Sequence, residues 1–188
     1  RGDMVIGKTF PSVKLSDTLS KATCNANKIS VVEKYVDILD QLPIFYSNVE
    51  TVFLSANSLK SVEGIQQFLN LRVLSLANNR INHFDDIAAL TKCENITVLN
   101  LQFNPITSLP NYRHHILALL PSLKLLDNKE IKSKDRSKAL QIVQKELQHM
   151  RMLISNAHLI TKLKAVVHKI VMHRQLLTVT SKKSQFMG

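Results

Sequence analysis

The sequence predicts an α/β solenoid, with short parallel strands stacked on one face, helical turns behind them and a helical extension at the C-terminal end. Three observations predict it. An eleven-residue apolar template recurs at near-constant spacing, a capping segment follows its last copy, and basic charge is concentrated beyond that segment.

Composition sets the frame. The chain has 188 residues, 45% hydrophobic and 21% charged, with 4 Gly, 5 Pro and no Trp, so an aliphatic core is expected. Cys24 and Cys93 stand far apart, outside any CxxC or Cys/His cluster. That argues against a disulfide framework or a zinc site and for a reducing compartment. No stretch is long and apolar enough to span a bilayer, and the residues after Arg1-Gly2-Asp3-Met4 hold no apolar signal core. A soluble intracellular protein is expected, with the Arg1-Gly2-Asp3 triplet read as accidental.

Residues 1–18 are read as an N-terminal flank and residues 19–109 as the repeats. Val49-x-x-Val52-x-Leu54-x-x-Asn57-x-Leu59-x-x-Val62 aligns without a gap with the run from Leu71, Leu74, Leu76 and Asn79 to Ile81 and Phe84. It aligns again with Ile96, Leu99, Leu101, Asn104, Ile106 and Leu109. A weaker copy, Leu19-x-x-Ala22-x-Cys24-x-x-Asn27-x-Ile29-x-x-Val32, precedes them and brings the expected number of repeats to four. The template resembles that of a leucine-rich repeat, and the predicted fold class is a short leucine-rich-repeat solenoid.

Each residue type has a physical reason. Alternate apolar residues such as Leu74 and Leu76 point inward from one short strand per repeat, and later apolar positions close the coil. Asn57, Asn79 and Asn104 stand where each strand ends. There a side-chain amide bonds main-chain groups that the coil would otherwise bury unpaired. The ladder asparagines are spaced 22 and 25 residues apart, which leaves room for single helical turns at Glu63 to Leu69 and Asp85 to Leu90.

Residues 110–128 are read as a cap. From Asn104-Pro105 through Tyr112-Arg113, Ile116, Leu120-Pro121, Leu123 and Leu126-Asp127 the chain resembles the C-terminal capping motif of leucine-rich-repeat proteins related to the phosphatase-one regulator. That resemblance implies a non-enzymatic binding module. The subclass includes a spliceosomal ribonucleoprotein subunit, a tubulin-folding cofactor, an axonemal dynein light chain and centrosomal or ciliary scaffolds. The run Leu109-Pro110-Asn111-Tyr112-Arg113 is most similar to the ciliary and centrosomal members. Physically, Tyr112, Ile116, Leu119 and Leu120 fall at helical spacing and can cover the open end of the last coil. Arg113 and Asp127 are read as structural parts of the cap. His114 and His115 lack Cys or Asp partners at ligand spacing, so no metal or cofactor is expected.

Strand residues between the inward positions face solvent and form the candidate partner-binding face: Thr51, Phe53 and Ser55, then Val73, Ser75, Ala77 and Asn78, then Val98, Asn100, Gln102 and Phe103. The weak first copy adds Lys21, Thr23 and Asn25, of which Lys21 alone is charged. A nearly neutral face bearing aromatic and aliphatic groups suits an apolar protein partner better than phosphate-rich nucleic acid.

Residues 129–188 are read as a basic helical extension, with 13 Lys and Arg against 3 Asp and Glu, where the rest of the chain has 12 and 11. Leu140, Val143, Leu147, Met150 and Ile154 step at helical spacing, and Ile160, Leu163, Val167 and Ile170 are expected to continue the stripe. Lys162, Lys164, Lys169 and Arg174 surround it, as a candidate contact for a second protein, either a helix or an acidic tubulin tail. Nucleic acid is a permitted but secondary partner, because no aromatic residue interleaves the charge before Phe186.

No phosphate loop, HExxH or GxSxG run occurs, so no enzyme is expected. The expected function is a protein-interaction adaptor of the cytoplasm and of centrosomal, ciliary or axonemal machinery. The alternative is a nuclear ribonucleoprotein subunit gripping a partner's RNA-binding domain.

Overall fold

The computed structural model describes residues 11–20, 24–25 and 27–185, with the side chains of Cys24 and of residues 169–185 outside the description. The chain divides into two compact units, Arg1–Gln141 and Ile142–Gly188.

In the first unit seven strands form one sheet in chain order. They are β1 (Cys24–Asn25), β2 (Lys28–Ser30), β3 (Thr51–Phe53), β4 (Val73–Ser75), β5 (Val98–Asn100), β6 (Leu125–Leu126) and β7 (Lys129–Glu130). From β2 to β6 every pairing is parallel, and the outermost pairs β1–β2 and β6–β7 are antiparallel. Ile29, Val52, Leu74, Leu99 and Leu126 stand in register and are buried. Parallel strands of two or three residues suffice because each coil must turn away to build its other side. The turns are tight 3-10 segments at Ile44–Asn48, Ile65–Gln67, Asp85–Lys92 and Pro105–Ser108, two of which fall where helical turns are expected. Gly64 opens the second with φ 101, and a Cβ there would lie 2.1 Å from the Leu39 carbonyl oxygen, so only glycine fits.

The first coil corrects the sequence reading. Ile29, not Ala22, pairs with Val52, and Val31 takes the place of Leu54. The strand of the first coil therefore lies seven residues later than the weak copy predicts, and Asn27 is an exposed turn residue, not a ladder asparagine. The true ladder position holds Lys34, whose backbone N–H is accepted by Asn57 of the next coil. Stepping back one repeat length from Val52-x-Leu54 to Ile29-x-Val31 would have found it. The flank also joins the fold. Leu15, in the short helix α1 (Leu15–Thr18), is fully buried, Val13 N–H donates to Asp37 at 2.8 Å, and Ser16 donates to Asp40. Slight burial works to raise the Asp40 pKa, but the Ser16 hydrogen bonds and the Lys14 charge hold it below the ordinary carboxylate value.

At the other end helix α2 (Tyr112–Leu119) buries Tyr112, Ile116 and Leu117 against the last coil. Strand β6 then returns to the sheet as a fifth parallel strand, and Asp127 and Asn128, both at positive φ, make the two-residue turn into β7. The unit continues to Gln141, through the first turns of helix α3 (Ser133–Gln185). Ala139 is buried there, and Arg136 donates to the carbonyls of Leu117, Leu120 and Leu123.

In the second unit α3 runs through Ser155 and Asn156 without a break. On one continuous helix, at about 100° per residue, the set Ile160, Leu163 and Val167 lies roughly 150° around from the stripe Leu140 to Ile154. The second set thus opens a new face instead of continuing the first.

Candidate partner-binding face

The coils behind the strand face are tied to one another by the asparagine ladder. Asn79 Oδ1 accepts from Leu59 N–H at 3.0 Å, and its Nδ2 donates to the carbonyls of Leu54 and Leu76 at 2.9 Å each. Asn104 repeats the pattern one coil later on Ile81, Leu76 and Leu101, and Asn57 one coil earlier on Val36, Val31 and Leu54. Each amide therefore ties its own coil to the preceding one. All three asparagines are buried, so these bonds replace water that has been excluded.

Where the repeats end, the Asp127 side chain stands in for a backbone carbonyl. Leu54 N–H and Leu76 N–H donate to backbone carbonyls of the following coil, but Leu101 N–H donates to the Asp127 carboxylate at 2.7 Å. The other Asp127 oxygen accepts from the Tyr112 hydroxyl at 3.0 Å. Burial, then the adjoining Asp127 charge and hydrogen bond, push the Tyr112 pKa up. Arg113 donates to the carbonyls of Leu126 and Glu130, so it too serves the cap. His115 lies against Phe84 at 4.7 Å between ring centroids. Burial pushes the Cys93 thiol up to about 11.

Thr51 and Phe53, Val73 and Ser75, and Val98 and Asn100 stand side by side in register, all half-buried, with Ser55 and Gln102 beyond the strand ends. Ser55 and Ser75 share a 2.8 Å hydroxyl hydrogen bond. Leu125 on β6 and Lys28 on β2 extend the same row, and both were missed by sequence reasoning because their strands were not recognised. Lys28 places its ammonium 4.7 Å from the Phe53 ring centre, so charge enters the face at β2. Lys21 and Thr23 lie outside the described residues, and Asn25 sits on the antiparallel β1. Glu33, Ala56, Asn78 and Phe103 occupy one equivalent position at the rim, all with φ between 55° and 60°.

The helix of the second unit presents Leu147, Met150, Ile154 and Leu163 at 46–70% exposure, with Lys162 and Lys164 exposed among them. The side chains of Lys169 and Arg174 lie outside the described residues. Among the described residues no group of three or more His, Cys, Asp or Glu could hold a metal ion, and no helix is long and apolar enough to cross a membrane.

The family model described as leucine-rich repeat matches residues 14–154. The chain belongs to the leucine-rich-repeat family. It is 30% identical over 131 residues to an acidic leucine-rich nuclear phosphoprotein 32-related protein of Plasmodium falciparum, covering 66% of this chain and 46% of that one. It is 34% identical over 122 residues to U2 small nuclear ribonucleoprotein A' of Candida albicans, covering 52% of each. The chain spans about half the length of these curated relatives. Among solved structures, the crystal structure of the Drosophila melanogaster SNF/U2A' complex superposes with a TM-score of 0.54 at 23% identity, over 69% of this chain and 91% of that chain. This confirms the leucine-rich-repeat architecture.

Proposed function

We propose that this leucine-rich-repeat chain is a nuclear ribonucleoprotein adaptor, whose strand face holds the RNA-binding domain of a partner protein and whose basic helix contacts nearby RNA. The observation that carries the reading is the separation of chemistry. The strand face is nearly uncharged and offers Phe53, Val73, Val98 and Leu125, whereas net charge of +10 out of +11 lies from Lys129 onward. A neutral, partly apolar face fits protein, and a solvated basic helix fits phosphate. The relatives named U2 small nuclear ribonucleoprotein A', from Candida albicans and Saccharomyces cerevisiae among others, support this setting over centrosomal, ciliary or axonemal machinery.

The test is affinity purification of the tagged full chain from its own cells, with RNA and protein identified together. Recovery of a small nuclear RNA and a protein bearing an RNA-binding domain, lost together on Val73→Glu, is expected. Recovery of tubulin or axonemal proteins without RNA would return the reading to the cytoskeletal setting.

A further inference from the structure

We propose that a trough at the N-terminal ends of β4, β5 and β6 binds phosphate groups, with Arg72 and Lys124 as the donors that hold them. The site belongs to the repeat unit itself, and its chemistry does not depend on which protein the strand face holds.

Repetition places the two cations. Arg72, Thr97 and Lys124 each stand one residue before a strand, and the strands pair in register, Val73 with Val98 and Val98 with Leu125. The backbone fixes the row. The Arg72 carbonyl accepts from Thr97 N–H at 2.9 Å and Val98 N–H at 3.0 Å, and the Thr97 carbonyl accepts from Lys124 N–H at 2.7 Å and Leu125 N–H at 3.0 Å. Arg72 and Lys124 therefore flank Thr97 two strand spacings apart, roughly 10 Å between backbones. Both line a cavity of about 530 Å³, which Glu94, Asn95, Ser122 and Arg136 also line, with Leu123 and Ile131 on its apolar side.

The neutral polar groups of this trough already serve the fold. Thr97 Oγ1 donates to the Arg72 carbonyl at 3.3 Å, Ser122 Oγ to the Ile96 carbonyl at 3.0 Å and Asn95 Nδ2 to the Leu69 carbonyl at 3.3 Å. Arg136 is committed to the carbonyls of Leu117, Leu120 and Leu123, although its charge still adds to the field of the trough. Arg72 and Lys124 differ. Both are exposed, and among the described residues neither side chain has a hydrogen-bond or ion-pair partner. Glu94 supplies a carboxylate to the same lining and pairs with neither.

Charge selects the class of ligand. Three cations against one carboxylate is a local excess, in a chain that carries 12 Lys and Arg against 11 Asp and Glu from Arg1 to Asn128. Glu50, one coil before Arg72 in the same row, and Glu130 and Lys132, on either side of Ile131, lie outside the lining. A cleft dominated by one sign of charge focuses its field on the opposite ion. A guanidinium fork takes two phosphate oxygens at once, and an ammonium adds a point charge for a third. The carboxylate already set among them does not draw the two cations together. Phosphate is thus the group that fits, carried either by an RNA strand or by a free phosphate compound.

The experiment follows the backbone amides of the full chain by two-dimensional NMR while inorganic pyrophosphate, and separately a short oligouridine, is added. Reading Asn95, Thr97 and Lys124 individually separates the trough from whatever the basic helix binds. Saturable shifts at these amides are expected, weakened about tenfold or more in the doubly substituted Arg72→Gln/Lys124→Gln chain. They should be unchanged in Lys162→Gln/Lys164→Gln, which removes the same charge from the second unit. Glu94→Gln should tighten the same binding about twofold or more. Amides remote from the trough, such as those of Leu59 and Ile81, should keep their positions in the double variant, which distinguishes lost binding from lost fold. Shifts from oligouridine at lower concentration than from pyrophosphate assign the phosphate to an RNA strand, and shifts from pyrophosphate alone assign it to a free compound; either upholds the site. No saturable shift with either probe, undiminished affinity in the double variant, or the same shifts at the same concentration from a short polyglutamate peptide would overturn it.

Discussion

The solenoid unit and the helix of the second unit are built from the same aliphatic residues, and they use them differently. Leu74 and Leu76 are fully buried by neighbouring coils, whereas Leu163 is 64% and Ile154 70% exposed. Apolar periodicity identifies the face of an element that avoids water, and it does not say whether the chain itself supplies the cover. In the repeats the next coil is the cover, so stability is built in. Along α3 most described apolar side chains from Leu147 to Val167 are exposed.

The comparison is broken most sharply by paired truncations. Leu74→Ala should cost about 3–4 kcal/mol of solenoid stability, read by urea denaturation, because both the transfer energy and a cavity are lost. Leu163→Ala should stay within about 0.5 kcal/mol on the same measurement. Equal losses would mean that α3 is as integral to the core as a repeat strand.

Next in size is Asn79→Ala, expected to cost about 2–3 kcal/mol. It leaves the buried Leu59 N–H without its acceptor, and the Leu54 and Leu76 carbonyls keep only the neighbouring asparagines. Hydrogen exchange should report faster opening at Leu59 than at Ile81, whose N–H is held by Asn104.

A smaller effect is expected at the cap. Tyr112→Phe removes the hydroxyl that donates to Asp127 and should cost about 1–2 kcal/mol at neutral pH. The Tyr112 pKa is raised on folding from 10.0, so its contribution is complete below pH 10 and is lost as pH rises above it. Cys93, raised from 9.0 to about 11, acts in the same direction between those values. Denaturation midpoints should therefore fall on the alkaline side, less steeply in Tyr112→Phe than in the unchanged chain.

The repeats were legible because their side chains are chosen by backbone chemistry that recurs. Asn57, Asn79 and Asn104 announce the strand ends, and the motif through Tyr112 and Asp127 announces the cap. The first coil was not legible in its true register, because Lys34 stands where an asparagine would mark the turn and Asn27 offers a false marker. The dual task of Asp127, replacing a backbone carbonyl for Leu101 while accepting from Tyr112, depends on contacts between distant segments that spacing alone does not reveal. The positive φ at Phe103 was equally invisible, since of the four equivalent rim residues Glu33, Ala56, Asn78 and Phe103 only Asn78 is a type that favours the left-handed region. The outward strand positions Thr51, Phe53, Val73, Ser75, Val98 and Asn100 do lie side by side on one sheet, but Lys28 and Leu125 in the same row were missing because β2 and β6 were not recognised as strands.

The central claim is that the strand face, and not the side carrying the 3-10 turns, holds the protein partner. A photo-crosslinking amino acid at Ser75, on β4, and separately at the exposed Ala88, within the Asp85–Lys92 turn, tests it most directly. In its own cells the chain labelled at position 75 should crosslink to a protein bearing an RNA-binding domain, and the chain labelled at position 88 should not. Crosslinking of that protein from position 88 with none from position 75 would contradict the account.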